Sequence, residues 1–314
     1  MSERTVPDDA AATVPAAAGG VDQAVRPDGD GGAGPAAGPD RSRRARWIAT
    51  IAVGALALAF LVPFYFLVLS ALRPADRIFA DAGQLIPTSR LTFENFGALF
   101  RETPFIRWFV NSMIIAGGSV IGSVTVVTMA AYPLARLRFR GRNAIFVGIL
   151  ATQMLPFQLL LIPLFLLMIN ANLIDSYLGV ILPLVAHPFG LFYMRQYMLG
   201  LPQDLFDAAR VDGASEYAIF FRVVVPMVKP ALGTLAVLFS LEQWNELLWP
   251  LIVMRSEGRY PLAVGIASLI GQYEARWDLV MTAALLSVLP VMFLFFRMRN
   301  VFISGLGQMG TGGK

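Results

Sequence analysis

The sequence contains no cysteine and only one histidine, His187, which stands directly before a proline. The absence of thiols excludes disulfides, thiolate metal sites and a cysteine nucleophile. A single histidine cannot supply the histidine pair of a zinc site, and in an apolar run it is more typical of a hydrogen-bonded or pore-facing residue. We therefore expect no metal site and no catalytic residue in this chain.

Charge is also scarce, since Asp, Glu, Lys and Arg make up 15% of the 314 residues. Soluble domains carry roughly 25%. Hydrophobic residues reach 56%, and the mean hydropathy is +0.63. A helix needs roughly 20 apolar residues to cross a bilayer, and six runs approach or exceed that length: 47–72, 108–134, 144–174, 177–194, 230–254 and 279–296. The sequence therefore predicts an all-α integral membrane protein with six transmembrane helices. Pro156 and Pro163 should kink the long third run.

Arginine placement predicts the orientation of these spans. Arginines cluster before the first span, between the second and third, before the fifth and after the sixth, and six crossings put all these clusters on one side. The positive-inside rule makes that side cytoplasmic, together with both termini. We interpret the arginine run at 136–142 as a topology anchor and not as a nucleic-acid site.

The two ends of the chain differ from the apolar middle. Residues 1–40 are rich in Ala, Gly and Pro and contain few large apolar side chains, so they cannot bury enough surface to fold. We expect a disordered cytoplasmic segment at 1–40, a six-span domain at 41–307 and a flexible cytoplasmic tail at 308–314. The glycines of that tail do not form an ATP-binding loop, because no Gly-Lys-Ser/Thr sequence follows a strand there.

A charged stretch, DAARVDGASEYAIFFRVVVPMVKP, separates the fourth and fifth spans on the cytoplasmic side. Leu205, Phe206, Ala208 and Ala209 give one side of a short helix. Asp212-Gly213 then breaks it, and the aspartate is a candidate cap for a second helix. We expect a compact helix–turn–helix. Physical reasoning alone leaves open whether its apolar side docks a partner or packs internally.

This stretch resembles the cytoplasmic loop of ABC importer permeases. The family pattern is Glu-Ala-Ala, three residues, Gly, and nine residues before an apolar-x-x-Pro ending. Asp207-Ala208-Ala209, Gly213 and Pro226 match it, with aspartate in place of the usual glutamate. The segments WNELLWPLIV, LPQDLFDAA, PLAVGIASL and LTFENF resemble the carbohydrate branch, in particular the six-span subunit similar to the maltose-transporter permease. The resemblance covers about residues 47–307.

The resemblance implies a multi-pass permease subunit of a binding-protein-dependent, ATP-driven importer in the bacterial inner membrane, carrying a sugar or oligosaccharide. The implied partners are a second permease subunit, an ATP-binding cassette ATPase dimer, an extracytoplasmic solute-binding protein and membrane lipid, with no nucleic acid. ATP and Mg would be used by the partner ATPase, and no cofactor is expected in this chain. The helix–turn–helix would be the type I coupling helix. Its loop residues would be Asp207, Ala208, Ala209, Asp212, Gly213 and Pro226.

One charged cluster, EQWNE, lies inside the fifth apolar run. In a continuous helix, Glu242, Asn245 and Glu246 would share one face. A carboxylate at bilayer depth is expensive unless it faces a cavity or a partner. These residues are therefore candidates for the solute pathway, and a polar latch between helices or subunits is the structural alternative.

Two other functions remain open at this stage. Glu242 and Glu246 could relay protons in a proton-coupled secondary carrier, although such carriers often contain internal repeats and none is evident. An ABC importer permease for a non-sugar solute is the second alternative.

Overall fold

The computed structural model describes the backbone of residues 39–80, 90–271 and 275–311, and the side chains of 46–80, 90–271 and 275–298. Two compact units divide the chain, Met1–Ala57 and Leu58–Lys314. Almost all of the segment predicted to be disordered, residues 1–38, lies outside the described residues. The backbone of the last helix continues through Thr311, and 312–314 also lie outside the described residues.

The described residues form helices and turns, with a single isolated β-bridge between Ile270 and Ala275. The α-helices are α1 Pro39–Leu72, α2 Glu94–Glu102, α3 Phe105–Arg136, α4 Arg142–Ala151, α5 Phe157–Asn170, α6 Tyr177–Leu184, α7 Pro188–Leu199, α8 Gln203–Val211, α9 Glu216–Ile219, α10 Val225–Met227, α11 Lys229–Trp244, α12 Leu248–Val253, α13 Leu262–Ser268 and α14 Trp277–Thr311. A π-helical turn, Phe220–Val224, joins α9 to α10.

In the described part of the chain, three helices are long and apolar enough to cross a membrane. Three further crossings result if each bent helix pair is one span: Arg142–Met154 with Phe157–Asn170, Tyr177–Leu184 with Pro188–Leu199, and Glu216–Met227 with Lys229–Trp244. The all-helical membrane fold predicted from the sequence is confirmed, and the described residues give up to the predicted six spans when each bent pair counts as one.

A proline stands at the start of the second helix in each bent pair, but not every proline in a helix ends it. The first pair turns by 102° where Pro156 precedes α5, as predicted for that residue. Pro163 lies inside α5 without ending it. The run 230–254 is not one helix, because α11 ends at Trp244 and α12 begins at Leu248.

The core is organised around α3. Its first half contributes Trp108 and Ile115 to two clusters that include Leu279 on α14 and Trp249 on α12. Its second half joins a third cluster with α7, α11 and the stretch between them. Small and hydroxyl residues line its buried face, namely Ser112, Ala116, Ser119, Ser123 and Ala131. Such residues allow close helix packing in membranes.

Large apolar side chains cover much of the outside. Every described side chain from 46 to 65 is exposed. In a membrane, exposed apolar side chains can face lipid without penalty, because lipid tails are as apolar as the side chains themselves.

Candidate functional site: a helix–turn–helix and a pocket at the helix breaks

Residues 203–227 fold into a helix–turn–helix, as the sequence predicts; we call them the helix–turn–helix segment. Helix α8 ends in a Schellman arrangement, in which Gly213 N–H donates to Arg210 O and Ala214 N–H to Ala209 O, both at 3.0 Å. Gly213 has φ +79°, a left-handed conformation that glycine adopts without steric cost. The sharp turn between the two helices therefore depends on this glycine.

The cap of the second helix differs from the prediction. Ser215, not Asp212, is the N-cap, and its hydroxyl accepts a hydrogen bond of 3.3 Å from Ala218 N–H. Asp212 is instead the C-cap residue of α8. The glycine turn inserts two residues before the second helix, so the serine reaches the capping position.

The two sides of α8 have different surroundings. Phe206 is fully buried, and Ala209 packs against the third core cluster. Leu205, Ala208 and Val211 point outward, and Val211 is 87% exposed. Their spacing of three residues places them along one helix face. The outward face of α8 is thus a small apolar stripe, which we call the α8 stripe.

Asp207 lies beside the α8 stripe and bonds within the segment. Its Oδ1 accepts hydrogen bonds from Gln203 Nε2 at 3.0 Å and Arg210 Nη1 at 3.1 Å. Asp212 and Pro226 are exposed. Within the described residues, the short aspartate therefore already has two partners inside its own helix.

A polar network fastens the helix–turn–helix segment to the end of α3. Arg136 donates to Gln203 Oε1 at 2.8 Å, to Leu201 O at 2.6 Å and to Met198 O, and its guanidinium lies 4.3 Å from the Phe206 ring centre.

One turn earlier on α3, the Tyr132 hydroxyl donates to Glu216 Oε2 at 2.5 Å. Arg210 Nε donates to the other oxygen of Glu216 at 2.9 Å. Sequence reasoning missed Tyr132 and Glu216 as a pair, because 84 residues separate them and neither belongs to a motif.

The second site is a pocket of about 510 Å³ at the breaks of three helical segments. Four polar side chains line it, namely Gln158 from the start of α5, His187 from the α6–α7 break, and Glu242 and Glu246 from the end of α11 and the break after it. The pocket brings together two of the three predicted pathway residues and adds two that the sequence did not associate with them.

His187 is held firmly at the pocket wall. Its ring stacks on Phe239 with centres 4.2 Å apart, and Nδ1 lies 3.9 Å from Glu242 Oε2. Its Nε2 is buried and makes no hydrogen bond within the described residues. Gly190 makes room for the stack, since a Cβ there would lie 2.6 Å from Phe239 Cζ.

Asn245 is separated from this pocket. The expectation of one shared helix face is wrong, because α11 ends at Trp244 and Asn245 is its C-cap. The Asn245 amide donates back to Leu241 O at 2.7 Å. Glu246 Oε1 accepts from Trp249 N–H at 3.1 Å and so supports the first turn of α12. Trp244 turns away and donates to Ser287 O on α14 at 3.2 Å.

The fold combines bent helices around a polar pocket with a helix–turn–helix anchored to α3. These features suit a membrane transport protein of the permease class. The chain belongs to the family described as binding-protein-dependent transport system inner membrane component, whose pattern matches residues 123–308. It is therefore a multi-pass inner-membrane permease.

Curated relatives match most of the chain. AraQ, the arabinooligosaccharides transport system permease protein of Bacillus subtilis, is 39% identical over 260 residues, which are 82% of this chain and 92% of AraQ. LacG of Rhizobium radiobacter, a lactose transport system permease protein, is 34% identical and covers 68% of this chain and 78% of its own length. UgpE of Pectobacterium atrosepticum, an sn-glycerol-3-phosphate transport system permease protein, is 35% identical over 79% of this chain and 91% of its length.

A solved structure has the same fold. A chain of a bacterial ABC transporter involved in the import of the acidic polysaccharide alginate superposes with a TM-score of 0.73 at 24% identity. The match covers 83% of this chain and 97% of that one.

Proposed function

We propose that this chain is one permease subunit of an ATP-driven sugar or oligosaccharide importer. It works with a second permease subunit, a dimer of ATP-binding cassette ATPases and an extracytoplasmic solute-binding protein. ATP and Mg are used by the ATPase partners. The observation that carries the proposal is the α8 stripe, an exposed apolar helix face on a segment that is rigidly fastened to a central span.

The α8 stripe suits a partner protein. Leu205, Ala208 and Val211 are exposed, whereas the opposite side of α8 already packs on the core. Small and medium side chains permit close approach of another backbone, and Asp204 and Asp212 at either end supply polar contacts for a rim. ATPase movement against this face would pass into α3 through the contacts of Arg136 and Tyr132.

The solute class is supported by relatives and by the pocket. Two similar permeases are named for arabinooligosaccharides and for lactose. The pocket offers carboxylate, amide and imidazole groups, and a hydroxyl-rich solute needs such hydrogen-bond partners along its path. The relative named for sn-glycerol-3-phosphate keeps a non-sugar solute as the second candidate.

Docking is tested by two matched charge insertions, Val211→Glu and Tyr217→Glu. Both residues are more than 80% exposed, at 87% and 82%, but only Val211 belongs to the α8 stripe. A buried unpaired charge in a docked face is costly. Val211→Glu should therefore abolish co-purification with the ATPase and reduce uptake, while Tyr217→Glu retains both. If Val211→Glu assembles and transports normally, the stripe is not the ATPase contact.

The energy source is tested with the full complex in liposomes. Uptake should require ATP, the ATPase and the binding protein together. Uptake by the purified chain under a proton gradient, with the ATPase absent, would instead establish a secondary carrier.

A further inference from the structure

We propose that the pocket lined by Gln158, His187, Glu242 and Glu246 is a solute subsite that selects against negative charge. It would accept uncharged, hydroxyl-bearing solutes and reject solutes that carry a carboxylate or phosphate. Glu242 and Glu246 are its specificity-determining residues. The inference rests on the proposed function and deepens it, because relatives of this chain are named for neutral and for anionic solutes alike.

The helix breaks identify the pocket as a place for water and polar solutes. Helix α6 ends at Leu184 before α7 begins at Pro188, and α11 ends at Trp244 before α12 begins at Leu248. Backbone groups freed at such breaks need partners, and at membrane depth irregular backbone is tolerated where it is buried in protein or lines a water-filled cavity. Both breaks border the same pocket, together with the first turn of α5. Its volume of about 510 Å³ lies within the range of small-molecule sites.

Polar atoms of Gln158 and of both glutamates are available to a solute. Gln158 is exposed, and the Glu242 side chain is 59% exposed. Glu246 uses one carboxylate oxygen on the Trp249 N–H. His187 Nε2 is buried, so this residue serves as a wall of the pocket, with its ring fixed by the Phe239 stack. Carboxylate oxygens accept hydrogen bonds from hydroxyl groups, whereas the Gln158 amide can donate as well as accept. This combination suits a solute rich in hydroxyl groups.

The charge of the pocket argues for selection. Glu242 and Glu246 are both acidic, and none of the described residues that line the pocket is Lys or Arg. His187, whose Nδ1 lies 3.9 Å from Glu242 Oε2, is the one potentially cationic side chain among the described lining residues. Pores that pass anions or phosphate are lined by Arg or Lys, while acidic rings favour cations. Specificity commonly comes from a repulsive element built against the wrong ligand. Two carboxylates without a matching basic residue are such an element against anionic solutes.

The absence of native cysteine allows a direct test of charge selection that does not depend on the binding protein. Leu247 lines the pocket and is 39% exposed. Leu247→Cys in the full chain is treated with three methanethiosulfonate reagents, one cationic, one anionic and one uncharged. Val211→Cys, outside the pocket, is the matched control. The ratio of reaction rates between reagents cancels any change in thiolate content, because all three reagents attack the same thiolate.

We expect the ratio of the uncharged to the anionic reaction rate to be at least about tenfold higher at Leu247→Cys than at Val211→Cys. Like-charge juxtaposition costs several kcal/mol, which exceeds the 1.4 kcal/mol that a factor of ten represents. Glu242→Gln with Glu246→Gln should remove this difference at Leu247→Cys and leave Val211→Cys unchanged. Equal anionic and uncharged rates at Leu247→Cys would overturn the proposal. Persistence of the difference in the double glutamine variant would do the same.

Transport by the full complex separates failure of the subsite from failure of the proposed function. A neutral oligosaccharide and its counterpart oxidised to a terminal carboxylate are compared at equal occupancy of the binding protein. We expect ATP-driven uptake of the neutral solute, slower uptake of the acidic one, and a smaller gap in the double glutamine variant. Equal uptake of both solutes by the wild type contradicts the subsite alone. Absence of ATP-driven uptake of either solute contradicts the proposed function, while the labelling ratios still test the charge of the pocket.

Discussion

The hydroxyl of Tyr132 on α3 donates a hydrogen bond of 2.5 Å to the carboxylate of Glu216 in the helix–turn–helix segment. Tyr132 is 5% exposed, and its ring lies 5.4 Å from the Phe220 ring. Glu216 also accepts from Arg210 of α8. Through these two bonds Glu216 connects α3 to both helices of the segment, and the network should carry movement between them.

Tyr132→Phe removes that hydroxyl and keeps the ring contact with Phe220. A hydrogen bond to a charged group contributes about 1.5–3 kcal/mol, so the variant should unfold more readily in detergent. Solute uptake per ATP hydrolysed should also fall, while the complex still assembles. Tyr193→Phe is the matched control, because Tyr193 is 9% exposed in the same core cluster and takes no part in the hydrogen bonds of Glu216. An unchanged uptake ratio in Tyr132→Phe would limit this bond to a structural role.

The orientation proposed for the chain predicts accessibility from opposite sides of the membrane. Arg140 lies in the connection from α3 to α4, and Glu94 begins α2. Both side chains are exposed. Arg140→Cys should react with an impermeant thiol reagent only from the cytoplasmic side of a sealed vesicle, and Glu94→Cys only from the outside. The unmodified chain is a clean background, since it has no cysteine. Labelling of both positions from one side would refute the proposed topology.

The sequence predicts the helices better than it predicts where they break. Apolar runs identify the spans because hydropathy reports membrane burial directly. The run 230–254 averages as one apolar span, so its mean hydropathy hides the end of α11 at Trp244, which lies within the EQWNE cluster. The local cue is polar. Asn245 and Glu246 precede a short apolar stretch, and Glu246 accepts from the backbone N–H three residues later, as residues at helix starts do.

Site residues were predictable where a motif or a local turn defines them. Gly213 is predictable because glycine tolerates the left-handed turn that ends a helix. The two glutamates are predictable as pathway candidates because a carboxylate is costly in a membrane. That Ala208 points outward and Ala209 inward could not be predicted from the sequence, because it depends on the tertiary packing of Phe206 and its neighbours. Gln158 and His187 were not associated with Glu242 because three separate helix breaks bring them together. Such convergence is a property of the folded chain.

Asp175 provides a pH-dependent tie outside the membrane-spanning helices. It lies in the turn between α5 and α6, and its carboxylate accepts from the N–H groups of Arg255 and Ser256 at 3.0 Å and from the Ser256 hydroxyl at 2.5 Å. Burial alone would raise the pKa of Asp175, but these hydrogen bonds and the charge of Arg259 hold it below its ordinary value. The carboxylate is thus more easily ionised in the folded chain than in the unfolded one.

A depressed folded pKa makes stability depend on pH in one direction. The contribution of Asp175 is fully present above its unfolded pKa of about 3.9, and it is lost as the pH falls through the lower folded value. Asp175→Asn should therefore lower the unfolding midpoint at pH 7, and this difference should shrink as the pH falls below about 4. Glu257→Gln, at an exposed carboxylate with no ion pair among the described residues, is the control. A difference that is the same at both pH values would contradict a role for the charge.

The backbone of Asp175 allows its conformation to be tested separately from its bonds. Asp175 has φ +56°, a left-handed conformation that Asp and Asn tolerate and that costs other non-glycine residues roughly 1–2 kcal/mol. Its N–H donates to Val253 O at 3.0 Å, and its carbonyl accepts from Arg259, so the turn is tied to the chain after α12 through backbone as well as side chain.

Asp175→Ala and Asp175→Gly both remove every carboxylate bond, but only glycine adopts this φ freely. We expect Asp175→Gly to unfold at a higher temperature than Asp175→Ala at pH 7, although its greater freedom in the unfolded chain opposes this order by about 0.4–1 kcal/mol. Proteolysis in the segment at 254–260 should follow the same order, with Asp175→Ala cut fastest, because the variant with the strained turn releases that segment more often. If Asp175→Ala is the more stable of the two, the left-handed turn is not maintained in the native chain and the tie rests on the carboxylate alone.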